Sequence, residues 1–288
     1  MPAGLDIQPG RFHDAFGEEE ILAASVFRRD DGGWTAEYLF ETRPDAAALN
    51  DNLAPVFAAE NIAAPTVRIE EVDAQQDWLD ICYRALPAFS VGKFYIYGSH
   101  CEGPVPAGQT GLLIDAVQAF GSGSHGTTMG CVELLQTLAD DTNFKPRSIL
   151  DLGTGSGILA IAAAHLWAGF PVIASDIEEE SADATRRHAA MNGMDNRVVS
   201  IHAEGFDDPQ IKGGAPYDLI IANILPGVVM ALSDGMMDHA TPNAFILLSG
   251  IRDDVAASVC DHFAAKQCGE IARVSHEGWT SLLLRRIG

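Results

Sequence analysis

The feature that most constrains this chain is the stretch Asp151-Leu-Gly-Thr-Gly-Ser-Gly157, which follows an apolar run at 148–152 and opens an alanine-rich apolar segment at 158–167. Run, glycine turn and helical segment in that order form one βα unit, and the glycines let the backbone reverse tightly and approach a ligand closely. The alternation continues downstream. Apolar runs at 171–176, 197–202, 217–222 and 244–249 alternate with helix-compatible segments at 179–192 and 253–266, and Pro226 suits a first helical position. This pattern predicts an α/β fold, a doubly wound, mostly parallel sheet with helices on both faces. The end of the chain differs: runs at 270–276 and 279–286 are separated only by Glu277-Gly278 and read as a hairpin, an antiparallel close to the sheet.

The first hundred residues follow another pattern. Strand-like runs at 23–28 and 35–41 flank a turn at Asp30-Asp-Gly-Gly33, an alanine-rich helical segment covers 46–61, and a further strand-like run covers 66–72. The expectation is a small α+β domain over 1–95. A stretch rich in Gly and Pro at 96–113 then reads as a linker to the larger domain at 114–288.

Charge narrows the partners. Forty acidic residues against eighteen basic ones give a formal net charge of −22, a field that repels a phosphate backbone and suits a basic protein. Five scattered cysteines, with no Cys-x-x-Cys pair and no clustering with His, read as reduced thiols and offer no metal site. The amino terminus lacks the charged-then-apolar order of a signal peptide. The longest apolar stretch, 158–174, is broken by His165, Gly169 and Pro171, so a cytoplasmic protein without a membrane span is expected.

Within the glycine turn the spacing is Gly153-x-Gly155-x-Gly157, and Ile158 stands where a nicotinamide-binding loop would place its third glycine. An S-adenosylmethionine loop fits better. Asp176 ends the next strand, where doubly wound folds place a carboxylate on ribose hydroxyls; an N-cap of the following helix is the alternative role. Ala203-Glu-Gly-Phe206 follows the third strand, where such enzymes contact the adenine; a plain surface loop is the alternative reading. Asn223 ends the fourth strand and faces the crevice, or else caps the helix at Pro226. Upstream, Phe120-Gly-Ser-Gly-Ser-His-Gly-Thr-Thr128 enters a helical segment, and its hydroxyls and backbone donors suit the methionine end of the same ligand.

Taken together, Phe120 to Thr128, Asp151 to Ala160, Asn223-Ile-Leu-Pro-Gly227, Ser249-Gly-Ile251, Trp78 and Trp279 resemble the bacterial methyltransferase family of large-subunit ribosomal protein eleven. Gly126, Pro226 and Arg252 depart from its commoner pattern, where Pro, Ala and Leu stand. The resemblance implies a class I catalytic domain with S-adenosyl-L-methionine as cofactor, contacted by Thr128, Gly153, Asp176 and Asn223, with Gly155 in the same loop. It implies a small amino-terminal domain for substrate recognition. It also implies methyl transfer to amino groups of a basic ribosomal protein, lysine side chains and the amino terminus, by a monomer. No catalytic acid or base is implied: burial beside a sulfonium lowers an amine's pKa, and solvent can take the proton. The alternatives are a methyltransferase for another protein or a small molecule, and an inactive cofactor-binding protein.

Overall fold

The structure, a computed structural model, describes residues 23–28, 34–40, 43–59, 67–69, 88–115 and 126–287. The chain divides into two compact units, Met1–Gln76 and Asp77–Gly288. In the first, β1 (Ala23–Arg28) pairs antiparallel with β2 (Trp34–Leu39), from Ala23 opposite Leu39 to Arg28 opposite Trp34. Helix α1 (Ala46–Ala59) follows, started by the Asp45 carboxylate, which accepts from the Ala47 N–H at 2.7 Å, and it buries Leu49 and Phe57. The expected turn at 30–33 and most of the expected strand at 66–72 lie outside the described residues.

In the second unit, β3 (Phe89–Val91), β4 (Phe94–Tyr97) and β5 (Thr110–Leu113) form a small sheet, antiparallel at β3–β4 and parallel at β4–β5. The stretch 96–113, expected as a linker, thus carries the end of β4 and all of β5. Its glycines and prolines serve the crossover between them. Val91, Phe94, Ile96, Leu112 and Ile114 enter the same core as Leu135 and Ile161, which ties this sheet to the large one.

The large sheet has the order β11-β12-β10-β9-β6-β7-β8. Its strands are β6 (Ile149–Leu152), β7 (Val172–Asp176), β8 (Val198–His202), β9 (Tyr217–Asn223), β10 (Ala240–Arg252), β11 (Cys268–His276) and β12 (Trp279–Arg286). Pairing is parallel from β10 through β8, and β12 is antiparallel to both β10 and β11. The doubly wound sheet and its closing hairpin are therefore as the sequence predicts. One face carries α2 (Gly126–Asp140) and α3 (Ile158–Leu166), with α4 (Glu179–Met191) beside them; the other carries α5 (Pro209–Gly214), α6 (Pro226–His239) and α7 (Ala256–Ala264).

Strand period decides where polar residues go. In β9, Leu219 and Ile221 enter the core on the α2 face, and Ile220 and Ala222 enter the opposite core, so Asn223 returns to the α2 face. The same alternation sends Ser249 of β10 and Ser281 of β12 toward α2, where their hydroxyls bond each other at 2.7 Å and lie 3.2 and 3.3 Å from the Thr127 carbonyl oxygen. In β6 it turns Asp151 toward α3, beside Ile149.

Candidate functional site

The chain leaves β6 at the point where strand order reverses, with β7 on one side and β9 on the other, which is where doubly wound sheets open a ligand crevice. Gly153, Gly155 and Gly157 have φ of 74°, 54° and 83°, in the left-handed region that side chains disfavour. At Gly153 space is short as well: an added Cβ would lie 2.3 Å from Ile224 Cγ2. At Gly250, φ 77°, an added Cβ would lie 2.5 Å from the Ile224 carbonyl oxygen. Ile224 therefore packs its side chain against the glycine turn and its backbone against the Ser249-Gly-Ile segment.

Asp151 is buried at the base of the turn. Its Oδ2 accepts from Thr154 Oγ1 at 2.7 Å and from the Ala160 N–H at 3.1 Å, while its Oδ1 is buried without a hydrogen-bond partner among the described residues. Burial pushes its pKa up to about 7, against the pull of those two donors. Asp176, at the end of β7, accepts from the Gly155 N–H at 2.8 Å through Oδ2 and from the Glu178 N–H at 3.0 Å through Oδ1. It braces the turn and makes a local Asx contact, but it does not cap the following helix, whose N-cap is Glu178. Asn223 does not cap α6, whose N-cap is Leu225. Its Nδ2 instead donates to Thr127 Oγ1 at 3.4 Å.

Thr128 is buried in the first turn of α2, next to Thr127. Thr127, Gly153, Gly155, Asp176 and Asn223 thus stand along one carboxyl edge of the sheet, while residues 120–125 lie outside the described residues. Phe206 turns away: its ring stacks on His239 at 4.6 Å and is largely buried. Two neighbours escaped the sequence reading, Ile177 beside Asp176 and Leu225 near Asn223, which are 58 % and 69 % exposed. Apolar side chains uncovered at a crevice edge offer a surface for a ligand's ring system.

A nucleoside with a cationic sulfonium fits this donor set. The left-handed glycines permit close approach, the Asp176 carboxylate can accept from a ribose diol, Ile177 offers apolar cover, and the orphaned Asp151 oxygen favours positive charge nearby. Replacing Asp176 by Ala should weaken S-adenosylmethionine binding by roughly 1–3 kcal/mol, the usual loss for a charged hydrogen-bond partner. Calorimetric titration of the variant checks this, and unchanged affinity would remove Asp176 from the site.

Known proteins resemble this chain over most of its length. A family model described as ribosomal protein L11 methyltransferase (PrmA) matches residues 17–287. A ribosomal protein L11 methyltransferase of Rhodopseudomonas palustris (strain BisB5) is 37 % identical over 279 residues, covering 96 % of this chain and 92 % of the relative. That of Bradyrhizobium diazoefficiens is 36 % identical over 270 residues, with 94 % and 90 % covered. The crystal structure of a ribosomal protein L11 methylase from Lactobacillus delbrueckii subsp. bulgaricus superposes with a TM-score of 0.60 at 28 % identity, over 70 % of this chain and 99 % of that one.

Proposed function

The chain belongs to the ribosomal protein L11 methyltransferase family, a family of S-adenosylmethionine-dependent enzymes, and from that premise we propose that it methylates amino groups of ribosomal protein L11. The acceptors are lysine side chains and the amino-terminal amine. The small amino-terminal domain, 1–95 by the sequence, is the recognition element. The enzyme acts as a cytoplasmic monomer on a basic protein, and its net charge of −22 favours that encounter over direct contact with nucleic acid. No helix among the described residues is long and apolar enough to cross a membrane.

The observation that carries the reading is Asn223. Strand alternation delivers its amide to the α2 face, at the carboxyl edge of the sheet and bonded to Thr127, and its side-chain oxygen is an acceptor of the kind an amine needs for alignment. When bound, the cofactor supplies an electrophilic methyl group. The protein's part is then to hold the turn through Asp176 and Asp151, to orient the amine at Asn223, and to leave the amine's proton to solvent. Orientation of this kind supplies several kcal/mol without a dedicated base.

The test combines purified ribosomal protein L11, labelled S-adenosylmethionine and the variant Asn223→Ala. Wild-type protein should label L11. The variant should lose tenfold or more in kcat at saturating cofactor, about 1.4 kcal/mol in the barrier. Labelling of other proteins or of metabolites in preference to L11 would overturn the substrate assignment, and an unaltered kcat would remove Asn223 from acceptor alignment.

A further inference from the structure

Helix α4 carries Thr185, His188 and, at its C-cap, Asn192, at spacing i, i+3 and i+7. These positions share one face, and here the face turned inward is polar. Thr185 and His188 are almost completely buried. Each side chain binds backbone of another segment. Thr185 Oγ1 donates to the Gly155 carbonyl at 3.0 Å. His188 Nδ1 stands 2.6 Å from the Ser156 carbonyl, and since a carbonyl only accepts, Nδ1 carries the proton. Asn192 gives Leu113 both bonds a neighbouring strand would give, accepting its N–H at 2.8 Å and donating to its carbonyl at 2.8 Å.

The consequence is geometric. In a trans peptide the C=O and the next N–H point opposite ways. Drawing the Gly155 carbonyl to Thr185 therefore aims the Ser156 N–H to the opposite side, and His188 fixes the following peptide in the same manner. The turn approaches α4 closely enough that a Cβ at Gly157 would lie 2.9 Å from the Thr185 side chain, so neither peptide can rotate without losing a buried bond. A buried carbonyl left without its donor carries a desolvation penalty that the turn can relieve only by moving.

We propose that His188 is a positioning residue for S-adenosylmethionine binding, clamping the Ser156 carbonyl so that a buried side chain behind the glycine turn sets cofactor affinity. The proposal rests on the reading that this turn is the cofactor site. It predicts a split between binding and turnover that a merely supporting side chain would not produce.

The experiment uses the full chain, calorimetry with S-adenosylmethionine, kcat at saturating cofactor and thermal melting. His188→Leu keeps the apolar bulk but has no donor; its cofactor Kd should rise tenfold or more while kcat stays within about twofold. His188→Asn places an amide N–H near the position of Nδ1 and should return Kd to within about threefold of wild type. Should the Leu variant fail to fold, His188→Gln takes its place, because its longer side chain puts the donor at the position of Nε2; it should bind more weakly than His188→Asn. Asp176→Ala is the control. If it weakens binding and the Leu variant, or Gln in its place, does not, the clamp is overturned; equal weakening by the donor and non-donor variants, in step with lost melting temperature, overturns it too. If Asp176→Ala binds normally, the reading of the turn as the site falls, and the clamp with it.

Discussion

A chain shortened to Asp77–Gly288 is expected to bind S-adenosylmethionine with wild-type affinity and to transfer no measurable methyl to ribosomal protein L11. The boundary matters. Cutting at Gln76 leaves β3 to β5 in place, with Val91, Phe94 and Ile96 packed in the core that Leu135 and Ile161 share. The buried Gln136 amide would also keep its bonds to the Val91 carbonyl, at 3.1 Å, and the Lys93 N–H, at 2.6 Å. Cutting at residue 95, the boundary suggested by composition, would delete Val91 and Phe94, and the loss of one buried Phe alone amounts to roughly 3–5 kcal/mol. Melting and cofactor titration of the two truncations separate these outcomes, and labelling assays on L11 test recognition. Full methylation by Asp77–Gly288 would show that the first unit does not recognise the substrate.

The second large effect concerns Asp151. Its pKa rises from 3.8 to about 7 because burial disfavours the charged form. Between those values the folded state binds a proton that the unfolded state releases. Stability from this group is therefore fully present below the unfolded pKa and is lost as pH rises through the folded one, a total of roughly 4 kcal/mol. Asp151→Asn removes that dependence. Its amide oxygen can take the bonds from Thr154 and Ala160, leaving its NH2 where Oδ1 has no partner, at a pH-independent penalty of about 1–3 kcal/mol. Denaturant unfolding followed from pH 4 to 8 should show the wild type losing stability relative to the variant as pH rises. Parallel curves would mean that Asp151 is ionised throughout.

Much of the catalytic unit was legible because its signals are local. The glycine turn, the runs at 171–176 and 217–222 and the hairpin at 270–286 are each fixed by residues within a few positions, and the structure places them within one to three residues. The small sheet at 89–113 was not legible. β3 and β4 are three and four residues long, and β5 is separated from its partner by a glycine- and proline-rich crossover that reads as connector; only long-range packing onto α2 and α3 makes them strands. Strand β10 extends to Ala240 because parallel pairing with Tyr217 prolongs it past its apolar run. At the site, Asp176 and Asn223 could be found from their places at strand ends. Asp151 was quoted only as the start of a motif, since nothing in a sequence states that one carboxylate oxygen will be buried without a partner. Thr185 and His188 left one trace, polar residues at spacing three on a helix that otherwise turns Ser181 and alanines inward.

Ile224 is pressed from two directions, its side chain against Gly153 and its carbonyl against Gly250. Three stretches that lie about seventy and twenty-five positions apart along the chain are thereby joined in what each can accept. A methyl group at 153 would require a smaller residue at 224, and one at 250 would displace the 224 backbone, which carries Asn223 with it. The routes by which this site can diverge are consequently narrow and ordered. A residue at 153 needs a change at 224 and still meets the strain of a left-handed φ of 74°, whereas at 250 the obstacle is main chain, which no substitution removes.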